Sequence, residues 1–286
     1  MEQGKVKNTK SLTLTNEEYR AIDAVANSDL LSIEKSPANY IWTKNAPQDP
    51  AKVAAFDFGT ALHVALLEPE LFAKEVIIFD GAKSRETKKY SDFAAENKGI
   101  ILLESEYDKL RFTVDGAMYH PTVKRLLTAK SDKEGSIFAY DEDYSVARKI
   151  RPDIDYVPHG NPLLADVKTT ASIADWRDTA KWKNPLFTHG YGHTAAYYMD
   201  TASLYYGQQI NEYTFIVLQK SVEMGRYPVA AITITRDECE SLGFFQQVGH
   251  NLSKYAECKH TNLWDEVERF DESIFGLDSV SLGFEE

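Results

Sequence analysis

Cysteine is scarce in this chain of 286 residues: Cys239 and Cys258 are the only two, and no group of other metal ligands surrounds either. That excludes a disulfide framework, a structural zinc site and a four-cysteine iron–sulfur cluster, and it leads us to expect a reducing, cytoplasmic setting. Long apolar runs are missing as well. None approaches the length of a membrane span, and the polar start of the chain lacks the apolar centre of a signal peptide. Basic residues are outnumbered, with 32 Lys and Arg against 44 Asp and Glu, for a net charge of −12. Such a balance argues against a protein that coats nucleic acid, because non-specific phosphate binding draws on Lys and Arg. A local basic track remains compatible with it. What is present is ordinary globular composition, 43% hydrophobic and 27% charged, with enough length for one substantial core.

Hydrophobic periodicity and turn residues divide the chain coarsely. Residues 16–45 and 56–70 read as helices, with Asn27-Ser28-Asp29 and Ser36-Pro37 as start signals. Residues 87–97 and 104–127 also read as helical. Residues 136–140, 145–157 and 163–168 read as successive strands, hence an antiparallel meander. A helical stretch with tryptophans and a helix over 190–206 follow, then strands near 213–220 and 228–234. The first of these two is apolar throughout, as a central strand buried on both faces would be. Thr235-Arg236-Asp237-Glu238 is a capping-box pattern opening a helix to about 258. The expected fold is α/β, a central mixed sheet flanked by helices with a helical N-terminal portion. It forms one domain over 13–262, with a loose tail over 1–12 and a C-terminal extension over 263–286.

Two short strings carry the chemistry. Arg151-Pro152-Asp153 and Asp166-Val167-Lys168 flank the turn-forming run Pro158-His159-Gly160-Asn161-Pro162. If the strands pair as a hairpin centred near His159 and Gly160, Asp153 lies opposite Asp166. Opposed carboxylates on adjacent strands repel unless a cation sits between them. Lys168 shares a strand face with Asp166. Taken singly, each string is also compatible with a solvated strand end. His63, in the first turns of the apolar stretch 59–67, is either a helix-packing residue or a neutral imidazole that serves a metal. His193 and Tyr197 lie one helical turn apart on the same face, and either form part of an aromatic core stripe or face a site.

In order, Gly59-Thr60-Ala61-Leu62-His63, an acidic residue, Asp153, Asp166-Val167-Lys168 and His193…Tyr197 resemble the motifs of RecB-type nucleases of the PD-(D/E)xK superfamily, whose core is restriction-endonuclease-like. The flanks Tyr40-Ile41-Trp42-Thr43-Lys44-Asn45-Ala46-Pro47, Leu67-Glu68-Pro69-Glu70, Asp166-Val167-Lys168-Thr169-Thr170 and Gly225-Arg226-Tyr227-Pro228-Val229 narrow the resemblance to RecE-like (exonuclease VIII type) nuclease domains, over residues 16 to 260. The resemblance implies that Asp153, Asp166 and His63 bind a metal and that Lys168 polarises the attacking water. It makes Glu134 a further catalytic acid, and Tyr197 the tyrosine of the last motif. His193 stands where a glutamine is usual; it could donate a hydrogen bond to substrate, but it could also titrate. Oxygen ligands with one imidazole suit Mg²⁺, or Mn²⁺ as a substitute.

The resemblance further implies an exonuclease that degrades linear double-stranded DNA from 5′ to 3′, as a homo-oligomeric ring. It would partner a RecT-like single-strand annealing protein in phage-type recombination, in a bacterial host. The alternatives are a nuclease of other polarity, or a DNA-end or protein-binding module that has lost the chemistry; against the last, the Asp…Asp-x-Lys set is intact. For substrate contacts the sequence offers the run 83–90, with Arg85 and Lys88, which is also compatible with a solvated loop. It also offers the group Arg177, Lys181 and Lys183 interleaved with Trp176 and Trp182, tryptophans that either stack on bases or pack a helix.

Overall fold

A computed structural model describes residues 8–47 and 53–264, with only the backbone described over 53–56. Strand β1 (Thr9–Ser11) is followed by α1 (Asn16–Ala21), α2 (Asn27–Lys35) and α3 (Pro37–Asn45). The helical stretch expected over 16–45 is therefore three helices. Ser36 ends α2 and caps α3, its hydroxyl accepting the Asn39 amide, with Pro37 at the first helical position where a missing N–H costs nothing. Helix α4 (Val53–Leu67) ends before Glu68-Pro69, and α5 (Pro69–Glu75) restarts at the proline. Strand β2 (Val76–Phe79), α6 (Lys88–Glu96), β3 (Ile100–Leu103) and α7 (Glu104–Tyr119) come next. α8 (Pro121–Thr128) is split from α7 at His120-Pro121, where the stretch 104–127 had read as continuous. β2 and β3 form a small parallel sheet, in stretches to which the sequence pattern assigns no element.

The meander is corrected too. β4 (Asp132–Lys133) precedes β5 (Ser136–Asp141) and β6 (Val146–Ile150), which form an antiparallel three-stranded sheet with β1. The chain then breaks at Arg151-Pro152, because a proline has no N–H for the ladder. It crosses into a different sheet as β7 (Ile154–Asp155) and β8 (Leu163–Thr170). Residues 145–157 are thus two strands in two sheets. After β8, the tryptophan-bearing stretch contains only a single 3₁₀ turn (Ala174–Arg177) and the short α9 (Pro185–Thr188). α10 (Tyr191–Tyr206), β9 (Glu212–Gln219) and β10 (Val229–Thr235) follow. The capping box at Thr235 and Glu238 opens α11 (Arg236–Ser241), but Gly243 at φ 86° interrupts the helix before α12 (Phe244–Thr261).

The main sheet has the order β10-β9-β8-β7-β4, with β8 and β9 parallel and the other neighbours antiparallel. It is the expected mixed sheet flanked by helices. β9 is buried on both faces: Tyr213, Phe215 and Val217 join a core with α2, α10 and α12, while Ile216 and Leu218 join a second core with α4, α7 and α8. The expected N-terminal tail is corrected over its described part. Thr9–Ser11 pair with β5, and the Lys10 ammonium reaches Asp132 and the fully buried Asp155, each at 2.7 Å. Residues 1–7, and 265–286 of the expected C-terminal extension, lie outside the described residues.

Candidate metal centre

The β7–β8 hairpin sets the register of the site. Ile154 faces Ala165 and Asp155 faces Leu164, so the next position outward places Asp153 opposite Asp166. Gly160, at φ 86°, supplies the left-handed residue of the connection. Both acids are buried, Asp153 at 8% exposure and Asp166 at 3%. Each carboxylate takes a backbone donor from the other strand: Val167 N–H donates to Asp153 Oδ2 at 2.6 Å, and Asp153 N–H donates to Asp166 Oδ1 at 3.2 Å. Lys168 donates from Nζ to Asp166 Oδ2 at 2.7 Å.

His63 arrives on α4 from the opposite side. Its Nε2 lies 3.1 Å from the Val167 carbonyl, which can only accept, so Nε2 carries the proton and the ring is held in one orientation. Nδ1 then points at Asp153 Oδ2 (3.4 Å) and Glu134 Oε1 (3.9 Å). Among the described residues, His63, Glu134 and Asp153 are the group whose ligand atoms all lie within 4.8 Å of one another. Glu134 takes part through an unusual backbone: its φ is 50°, in the left-handed region, and its amide donates to the Asp153 carbonyl. A non-glycine residue held there costs roughly 1–2 kcal/mol, so the surrounding contacts must impose it.

Electrostatics mark the same place as short of positive charge. Burial, and then Asp166, push the Asp153 carboxyl far up. Burial works against a charged His63, but Asp153 and Glu134 outweigh it and the net shift is upward. Lys168 behaves likewise: burial opposes its charge, and Asp166 and Asp153 hold it above its ordinary range. The donor set, two carboxylates and one neutral imidazole with Asp166 beside them, fits a hard divalent cation with oxygen-rich coordination.

Other expected site residues lie elsewhere. His193 is 1% exposed, its Nδ1 bonded to Asn27 Oδ1 at 2.8 Å and its Nε2 to Asn251 Nδ2 at 3.2 Å. Tyr197 is fully buried and donates to the Val25 carbonyl at 2.6 Å. Both fasten α10 to the α2 region, and neither is open to a substrate, so they are withdrawn from the substrate contacts. Arg85 is corrected as well. Its guanidinium is spent on Asp57, a bidentate pair with Glu106, Tyr90 and the Ile101 carbonyl, leaving no donor face for a phosphate. Lys88 is exposed at the first residue of α6. Arg151 is structural: it binds Ser136, Asn16 and the Leu14 carbonyl and stacks on Tyr19 at 4.5 Å. Trp176 is buried against Tyr191. No sequence signal pointed to Tyr191, whose ring lies 5.9 Å from the Lys168 ammonium.

A mixed sheet that brings Asp, Asp-x-Lys and an imidazole to one hairpin defines a PDDEXK-like fold. This chain belongs to the family described as PDDEXK-like domain of unknown function (DUF3799), whose family model matches residues 26–268. No protein of curated function matches the sequence. Among solved structures, the chain is similar to one from Eubacterium rectale described as a "putative exonuclease". The two share 14% identity over 93% of this chain and 92% of that one, with a TM-score of 0.60, a likeness of fold. Among the described residues, no helix is long and apolar enough to cross a membrane.

Proposed function

We propose that this chain is a metal-dependent nuclease that hydrolyses phosphodiester bonds, and more narrowly a RecE-like exodeoxyribonuclease that degrades linear double-stranded DNA from 5′ to 3′ in phage-type recombination. The observation that carries the reading is the gathering of His63, Glu134 and Asp153 beside an Asp166–Lys168 pair. Two buried carboxylates side by side, with Glu134 close by, repel one another unless a cation offsets their charge.

His63, Glu134 and Asp153 would hold the cation, with Asp166 completing the acidic wall. A divalent ion bound there supplies Lewis acidity toward a phosphoryl oxygen and lowers the pKa of water. The residues do the rest. The Val167 carbonyl keeps the His63 lone pair turned inward. Asp166 holds the Lys168 ammonium where the pentacoordinate phosphorus gains negative charge, so that it stabilises the transition state. Water oxygen bonds to phosphorus and gives up a proton to solvent as the bridging P–O bond breaks, and the departing oxygen takes a proton from solvent. Mg²⁺, a ring-like oligomer and a RecT-like annealing partner complete the proposal as implications of the family resemblance.

The test is release of acid-soluble nucleotides from linear against covalently closed duplex DNA, with and without Mg²⁺. Release from the linear duplex alone, only with the metal, supports the reading. Cleavage of the closed duplex would instead make it an endonuclease, and no cleavage of either would leave a binding module. End-labelled duplexes decide the polarity.

A further inference from the structure

On the α4/α7 side of the sheet, one end of the site is continued by a surface that the chemistry above does not use. Lys220 follows β9, its amide bonded to the Thr170 carbonyl, and Thr170 is two residues past Lys168. At about 3.3 Å per strand residue, Thr170 is roughly 13 Å from Asp166. In α7, Lys109 places its ammonium 5.2 Å from the ring of Phe58, which sits on α4 just over a turn before His63. Lys109 is pushed down, by burial first and then by Lys220, so the two ammoniums crowd one another. Neither forms an ion pair among the described residues, and the nearby Glu106 is already committed to Arg85.

Beyond this pair lies a cavity of about 1110 Å³ between α7 and the hairpin 221–228. Its wall is fixed: Gly116 lets α7 approach so closely that a Cβ there would sit 3.2 Å from the Tyr227 carbonyl. Apolar and aromatic groups open outward from it, Phe112 at 63% exposure, Tyr119 at 88% and Met224 at 90%. Arg226 adds a third cation, offset by Asp115 and Glu223. Unmatched cations next to exposed rings complement phosphates next to base faces.

We infer that Lys109, Lys220 and the α7–hairpin cavity form a track for a single DNA strand running away from the metal centre, with Phe112 as a stacking platform. This rests on the nuclease reading. Phosphates would lie along the two lysines, and the unpaired bases would face the cavity. The outward-facing Met224 and Tyr119 keep water away from the stacked bases.

The experiment measures fluorescence anisotropy of labelled single-stranded and duplex oligonucleotides in EDTA, over a salt series. Lys109→Ala/Lys220→Ala should weaken single-strand binding about ten-fold at low salt. It should also lower the slope of log K against log salt by about 1.4, two contacts at about 0.7 each. Phe112→Ala should weaken it about five-fold or more while leaving the slope unchanged. Melting temperatures near wild type show that the variants fold. If wild type binds the single strand and the double variant keeps its slope, the track is wrong and the nuclease reading stands. If wild type binds neither oligonucleotide, the track is wrong, and the nuclease reading is decided separately by the cleavage assay. Loss confined to duplex binding overturns the single-strand assignment. A changed sedimentation coefficient in Met224→Asp, with oligonucleotide binding intact, would make this face an interface between copies and also overturn it.

Discussion

Asp153 and Asp166 hold one another's strands: the Asp153 carboxylate accepts the Val167 amide at 2.6 Å, and the Asp166 carboxylate accepts the Asp153 amide at 3.2 Å. Two groups that repel as charges are therefore bound into the hairpin as hydrogen-bond acceptors. The backbone thus keeps a carboxylate pair in place whether or not a cation is present.

Asp153→Asn should abolish cleavage while leaving the fold intact, since an amide oxygen can still accept the Val167 N–H. Its stability should also change with pH in a defined way. Burial and Asp166 push the wild-type carboxyl up to about 7, so the native protein holds a proton that the unfolded chain releases near ordinary carboxylate pH. That contribution is complete in acid and is lost as pH rises through about 7. Melting curves of metal-free wild type should fall over this window, and those of Asp153→Asn should fall less. Equal slopes would sink the burial argument.

Metal affinity should rise with pH up to about 7, because the cation must displace protons from Asp153 and from His63, whose pKa is also raised. Titration calorimetry in buffers of different ionisation enthalpy should show proton release on Mg²⁺ or Mn²⁺ binding. An observed enthalpy independent of buffer would contradict it.

Lys168→Ala should lower the cleavage rate about 10²–10³-fold, the size expected for losing one preorganised charge at the transition state, with little change in DNA affinity. Lys168→Arg should rescue poorly, since a planar fork cannot replace a compact ammonium in this pocket. A loss expressed mainly in binding would make the lysine a phosphate anchor.

His193→Gln should leave the pH–rate profile unchanged. The imidazole is buried, and burial pushes its pKa down to about 4. The unfolded chain therefore binds a proton that the native state refuses. Stability is complete above about 6.5 and is lost as pH falls toward 4. His193→Gln should remove that acid-side loss while lowering neutral-pH stability by about 1–3 kcal/mol through broken contacts with Asn27 and Asn251. A shifted pH–rate profile would return His193 to the site.

Lys10→Met should destabilise the protein by about 3–5 kcal/mol in urea unfolding, because it strips the ammonium from Asp155, a carboxylate with no exposure. A loss under about 1 kcal/mol would show that the Tyr206 hydroxyl and the Val157 amide together satisfy that carboxylate.

The parts of the molecule legible in the sequence are those with local rules. Hairpin register followed from the turn at 158–162, and β9 from its unbroken apolar run. Ser36-Pro37 and Thr235…Glu238 announced helix starts. What stayed hidden depends on tertiary partners. Arg85 read as free because its acids, Asp57 and Glu106, are distant in the chain. His193 and Tyr197 shared a face, but only the packing of α2 and α12 shows which way that face turns. The break at Pro152 was visible as a residue, yet the change of sheet it marks was not. The place of Glu134 beside Asp153 was hidden as well, because nothing local betrays its left-handed φ.

His63 and Val167 stand 104 positions apart and Asp153 and Val167 only 14. The centre therefore joins a short chain closure to a long one, and the longer closure costs more chain entropy. A molecule in which only the hairpin had formed would carry its acids without the imidazole, and would be chemically silent. An ion held by both segments spans that long closure and would slow its opening. The same contact that completes the centre thus makes its occupancy a measure of kinetic persistence.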